Sequence, residues 1–247
     1  MRSDRIFYVT ALSAPGELGS TPPADPTRLL EHLAPLPVAR ELAEALLLFD
    51  DLLQREAFLA GERQAVQPTV LTVAQARNEA SLPAYLAVPT ESGSLVSRVD
   101  GLWEAAYRHA DRVARKHGSI FLREWVAFEV ALRNALAGAR AKRLGLEEAH
   151  YLVAADLADP RAEFTSVLGE WTAAKTPLAG LQALIRARWA WLDDHDAWFS
   201  FRDDELAAYA ARLMLLQQWK RVADDEERRS AGTPTDESSI SLERATR

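Results

Sequence analysis

The side chains best placed to do chemistry in this 247-residue chain are two acidic clusters near its C-terminal end. Asp193-Asp194-His195-Asp196 comes first, and Asp203-Asp204-Glu205 follows shortly after. Oxygen donors so concentrated could hold Mg²⁺ or Ca²⁺, which would make the chain a metal-dependent hydrolase. A simpler reading fits the same spacing. Both groups flank a turn between helices, and Asp203 or Asp204 at a helix start satisfies free N–H groups and the helix dipole. No metal site is therefore expected. The histidines, His32, His109, His117, His150 and His195, stand singly along the chain. There is no phosphate-binding glycine loop, no HExxH, no GxSxG turn and no EF-hand loop. With no cysteine, disulfides, thiol catalysis and Cys-ligated zinc are also removed. Neither a catalytic residue nor a cofactor is expected.

Two other groups invite a binding or structural role. Glu129, Arg133, Asn134 and Arg140 lie beside the apolar stripe of one long helical segment. Glu129 and Arg133 are four apart and so face one another on a helix. That spacing fits a surface ion pair worth a few tenths of a kcal/mol, or a half-buried polar cluster that fixes how neighbouring helices dock. The second group is aromatic. Of seven tryptophans, Trp189, Trp191, Trp198 and Trp219 crowd the C-terminal third with Phe199 and Phe201. Core packing accounts for some of them, and a partner interface is the alternative use of such a surface.

The element that must position the polar group covers residues 119–144. Phe121, Trp125, Phe128, Leu132 and Leu136 recur at steps of three and four, which line one face of a helix. Ser119 is its expected N-cap and Gly145 its C-cap, giving a rod about 38 Å long. A preceding helix over 97–116 ends at His117-Gly118, so the two should lie antiparallel. Residues 6–12 could be a short strand or a first helical turn, and 13–26, with four prolines and two glycines, must be a loop. A short helix is expected over 27–33, capped by Asp25, and a long one over 37–61 with Val38, Leu42, Leu46, Phe49 and Leu53 on one face. Further helical pieces are expected over 72–80, 82–86, 148–155, 162–173 and 178–192, with a last helix carrying Leu206, Tyr209, Leu213 and Leu216. Strand patterns are nearly absent and Ala, Leu, Glu and Arg dominate. The fold class is all-α, a bundle of long antiparallel and short helices.

Residues 1–223 read as one helical domain with a possible lobe boundary near 89–96, and 224–247 as a disordered polar tail. The net charge of −7 argues against nucleic acid as a partner. No apolar run approaches the length of a membrane span, and the short apolar piece after Met1 reads as part of the fold. Zero Cys suits a reducing cytosol.

Residues 121–145, FLREWVAFEVALRNALAGARAKRLG, resemble a pattern of an uncharacterised bacterial family encoded beside V-type ATPase subunits. The same pattern is found, more weakly, in the C-type socket protein of A/V-type rotary ATPases (d-type in eukaryotes). Residues 6–12, LLLFDDLLQ at 46–54, LPAYL at 82–86 and the closing block at 188–219 are similar to the family as well. The resemblance implies a non-catalytic helical protein that links the central shaft to the membrane rotor ring, with the shaft and ring subunits as its partners. It implies a cytoplasmic location, held at the membrane face through those other subunits. Glu129, Asn134 and Arg140 match the family's polar positions, which implies a structural role for them. The C-type protein has three related helical lobes; this chain is shorter and shows no clear threefold repeat. A helical adaptor unconnected to any ATPase is the other reading.

Overall fold

The computed structural model describes residues 2–88, 95–195 and 200–231, with side-chain surroundings for 6–88, 99–195 and 200–228. Among these residues the chain forms nine α-helices and three short 3-10 turns, with no strand. They are α1 (Arg2–Thr10), α2 (Pro26–His32), α3 (Pro37–Leu59), α4 (Val73–Ala76), α5 (Leu95–His117), α6 (Ile120–Leu144), α7 (Thr165–Ala173), α8 (Pro177–His195) and α9 (Asp203–Ala231). The all-α expectation holds for the described residues. The open choice at 6–12 resolves to helix, within α1. No described helix is long and apolar enough to cross a membrane.

Local sequence sets the helix ends. Asp25 accepts the backbone N–H of Thr27 ahead of Pro26, and Thr72 and Gln75 close a reciprocal capping box around α4. Ser119 caps α6 by accepting the Leu122 N–H at 3.1 Å. Gly118 and Gly145 adopt φ of 64° and 67°, the left-handed conformation that ends α5 and α6 without a Cβ clash. Between them, the Gly118-Ser119 turn folds α6 back along α5.

The most extensive helix pairing is α3 with α9, followed by α5 with α6 and α8 with α9. Leu46, Leu47, Leu48 and Phe49 are all buried on α3. At roughly 100° per residue, such a run covers the whole circumference of a helix. Helix α3 is therefore enclosed by α2, α4, α5 and α9, where its sequence spacing points to a single buried face. Helix α6 joins the two halves of the core. Phe121, Leu122, Trp125, Val126 and Val130 pack in the main cluster, while Phe128, Leu132 and Leu136 form a second cluster with Phe164 and Leu184.

The end of the last helix differs from the sequence reading, and the expected helical piece over 148–155 is only a 3-10 turn, Glu148–Tyr151. Helix α9 continues to Ala231, past the point at 224 where the polar tail is expected, because the DDEERR run has strong helix formers and Arg228 pairs with Asp225 three residues earlier. Residues 232–247 lie outside the described residues, as does most of the expected lobe boundary, since α5 is described from Leu95.

Candidate functional site

Helices α3, α5, α6, α8 and α9 line an open cleft of about 500 Å³, within the size range of small-molecule pockets. Three acids and three guanidiniums line it: Glu56, Asp100 and Glu129, with Arg133, Arg140 and Arg188. The antiparallel α5–α6 pair supplies four of them, and α3 and α8 one each.

Glu129 does not pair with Arg133, the partner its i,i+4 spacing indicates. It is taken by Arg188 of α8, whose Nε and Nη2 donate to the two carboxylate oxygens at 2.6 and 2.9 Å. The Glu129 side chain is 9 % exposed and that of Arg188 16 %. In so dry a setting a bidentate pair satisfies the carboxylate better than a neighbour on the same helix can. Burial pulls the Arg188 pKa down, but the charge and hydrogen bonds of Glu129 outweigh it and hold the guanidinium above its ordinary value. Arg133 turns instead to α5. Its Nη2 donates to Asp100 at 2.6 Å, and its cation sits 5.3 Å from the Trp103 ring centroid. Trp103 in turn donates its indole N–H to Glu56 of α3. Burial pushes the Glu56 carboxyl up, against smaller lowering effects of Trp103 and Arg133.

Asn134 faces the strap of chain that returns along α6. Its side-chain amide donates to the Val153 carbonyl at 3.0 Å and its oxygen accepts the Val153 N–H at 2.9 Å. This pair of bonds replaces the strand partner that an isolated buried segment lacks. Gly138 faces the same strap beside the Glu148 side chain. Arg140 lies over the Trp171 ring, 5.0 Å from its centroid. Substituting Asn134→Leu would strand both Val153 groups in a buried place. The expected cost is about 2 kcal/mol, seen as a fall of about 4–8 °C in the thermal midpoint. An unchanged melting curve would mean that water takes over both bonds.

The aromatic candidates turn inward. Trp189 is buried, with the Arg212 cation 4.8 Å from its ring centroid. Trp191 packs among Phe121, Trp125 and Phe128 and stacks on His195 at 4.0 Å. Trp219 is half-buried beside Gly19. All three pack against core side chains, Trp189 buried and Trp191 and Trp219 with part of their surface exposed. Trp198 lies outside the described residues.

The acidic clusters are dispersed. Asp193 pairs with Arg212 at 2.8 Å, and Asp204 accepts the Ser119 hydroxyl at 2.5 Å. Glu205 accepts the Phe201 N–H at 2.6 Å, just ahead of α9. Asp194 is exposed, and Asp196 lies outside the described residues. Among the described residues no group of three or more His, Asp or Glu is arranged to hold a metal ion.

A second polar group is absent from the sequence reading. On α3, Asp50, Asp51, Gln54 and Arg55 are all buried, and the last three staple the loop at 66–78. Asp51 accepts the N–H groups of Thr69, Val70 and Leu71, each at 2.7 Å. Gln54 exchanges two hydrogen bonds with the Gln67 backbone. Arg55 reaches the Gln75 carbonyl at 2.5 Å and the Asn78 side chain at 2.7 Å. Asp50 faces the other way, toward Gln218 at 3.0 Å and Arg221 of α9. The signal for it in the sequence is the Asp50-Asp51 pair set directly against Leu46-Leu47-Leu48-Phe49.

Residues 79–160 match the model of a family described as a protein of unknown function (DUF2764). The matched segment holds α5, α6 and the strap back along α6 to Asp159, whose N–H donates to the Ala127 carbonyl at 3.1 Å. No curated protein and no solved structure matches the chain.

Proposed function

We propose that this protein is a non-catalytic, peripheral part of a bacterial V/A-type rotary ATPase, similar to its C-type (eukaryotic d-type) socket protein, linking the central stalk to the membrane rotor ring. One observation carries the reading. In the 121–145 block that bears the resemblance, each of the four polar candidates is committed to another helix or strap: Glu129 to Arg188, Arg133 to Asp100, Asn134 to Val153, and Arg140 to Trp171. A coupling element transmits force through protein contacts, and cross-helix ties of this kind make a helical body stiff. The DUF2764 match supports the reading only in that it covers the same helix pair. In this reading the chain reaches the membrane through the shaft and ring subunits.

The test is a native pull-down of the tagged protein from its own host, with mass spectrometry of the eluate. Catalytic, shaft and ring subunits of a V-type ATPase should be recovered together. Recovery of other proteins, with the ATPase assembled but absent from the eluate, would overturn the proposal in favour of a helical adaptor.

A further inference from the structure

Four large apolar side chains stay exposed along the border of the cleft: Leu53 of α3, Leu144 and Leu146 at and just past the end of α6, and Leu181 of α8. A second hollow of about 410 Å³ shares Leu53, Glu56, Leu181 and Gln218 with the first and extends along α9 through Arg221, Val222 and Asp225. Together they make one trough between α3 and α8. Helix α9 floors it from Met214 to Asp225, a length of about 16 Å. Exposed aliphatic side chains gathered along an open groove mark a surface that another apolar group covers.

The described chain ends beside this trough. Helix α8 runs antiparallel to α6, since Arg188 meets Glu129 while Arg140, further along α6, lies over Trp171, beside Gly180. Glu226 of α9 accepts from Gln182 of α8 at 2.9 Å, and Asp225 pairs with Arg63, just past α3, at 3.8 Å. The last turns of α3, α6 and α9 and the first turns of α8 therefore gather at one end, and α9 continues from Asp225 to Ala231. Residues 232–247, GTPTDESSISLERATR, follow. Gly232 and Pro234 suit a reversal of the chain. Ile240 and Leu242 are the only large apolar residues in this stretch, and they alternate with Ser239, Ser241 and Glu243. That is the period-two pattern of an extended segment with one apolar side. From Ala231 to Ile240 the chain spans up to about 30 Å, enough to turn back over the trough.

We propose that residues 239–243 dock in this trough as an extended segment, Ile240 and Leu242 against Leu53 and Leu181, with Ser239, Ser241 and Glu243 toward water. The tail then covers the trough of its own molecule, and a partner entering there must displace it. Docking of the tail does not depend on the ATPase reading.

The test is the ¹⁵N heteronuclear Overhauser effect at the Ile240 and Leu242 amides of the full-length protein, which reports order on the ps–ns scale. Both should match the amides of α9. Ile240→Asp/Leu242→Asp should bring the whole tail to the values of a free chain. Leu53→Asp and Leu181→Asp, at exposed positions, should each release the tail with the far-UV circular dichroism unchanged. Free-chain values in the wild type, or order kept in both trough variants, would overturn the proposal. The chain has no cysteine, so oxidation of Leu181→Cys/Leu242→Cys should close an intramolecular disulfide. Adding Ile240→Asp should slow that closure about tenfold, the effect of keeping one aliphatic side chain out of the trough. An unchanged rate would overturn the proposal. So would tail order that is confined to a dimer and vanishes on dilution, which would seat the segment on a second copy.

Discussion

Replacing Arg188 with Met is expected to destabilise the protein by about 3–5 kcal/mol, because it leaves the Glu129 carboxylate buried without its cation. Glu129 has 9 % of its side chain exposed, so water can restore little of the lost solvation. The reverse change, Glu129→Leu, should cost a similar amount by stranding the guanidinium. The double variant Glu129→Leu/Arg188→Met should recover most of the loss, since a well-packed apolar pair is often as stable as a buried ion pair. Urea denaturation of the four proteins gives the coupling energy directly. If the single changes add up to the double, the pair does not join α6 to α8, and the stiffness on which the proposed function rests must be sought elsewhere.

The second large effect belongs to Asp51. Asp51→Ala removes the acceptor for three backbone N–H groups at once, and the Leu71 donor is in a buried position. A loss of about 3 kcal/mol is expected. The loop at 66–78 should come loose before the rest of the fold, so trypsin should cut after Arg77 much sooner than in the wild type.

The same carboxyl carries a pH signature. Burial raises it from 3.8 to about 7, against the lowering effect of the Leu71, Thr69 and Val70 N–H groups and with a smaller push from Asp50. Between these two values the folded chain holds a proton that the unfolded chain has released. The stability tied to that proton is complete below 3.8 and is lost as pH rises toward 7, on the order of 4 kcal/mol across the window. Asp51→Asn cannot titrate, and its amide N–H₂ opposes a backbone donor. It should be less stable than the wild type throughout, with the gap widening as pH falls through the window. A constant gap would show that Asp51 is ionised in the folded protein across that range.

Sequence by itself determined the long helices and several of their ends. Spacing of apolar residues at three and four placed α3, α5, α6 and α8 nearly to the residue, and the caps at Asp25, Ser119 and Gly145 are local chemistry that a short window contains. It also brought out Glu129, Arg133, Asn134 and Arg140 as a group to watch, since polar residues beside an apolar stripe must find partners if they are buried. Which partners they find was decided by tertiary structure alone. The i,i+4 rule describes an exposed helix, where Arg133 is the nearest cation to Glu129; once α8 packs against α6, Arg188 arrives from 59 residues away with both N–H groups aligned. For the same reason the tryptophans could be read as surface or core until α8 and α9 were placed. Asp50 and Asp51 follow directly on an apolar run, and only the loop at 66–78 closing over Asp51 and α9 reaching Asp50 give them buried partners. Periodicity records the face a helix turns to its neighbours, but a buried hydrogen bond is settled by the element on the other side.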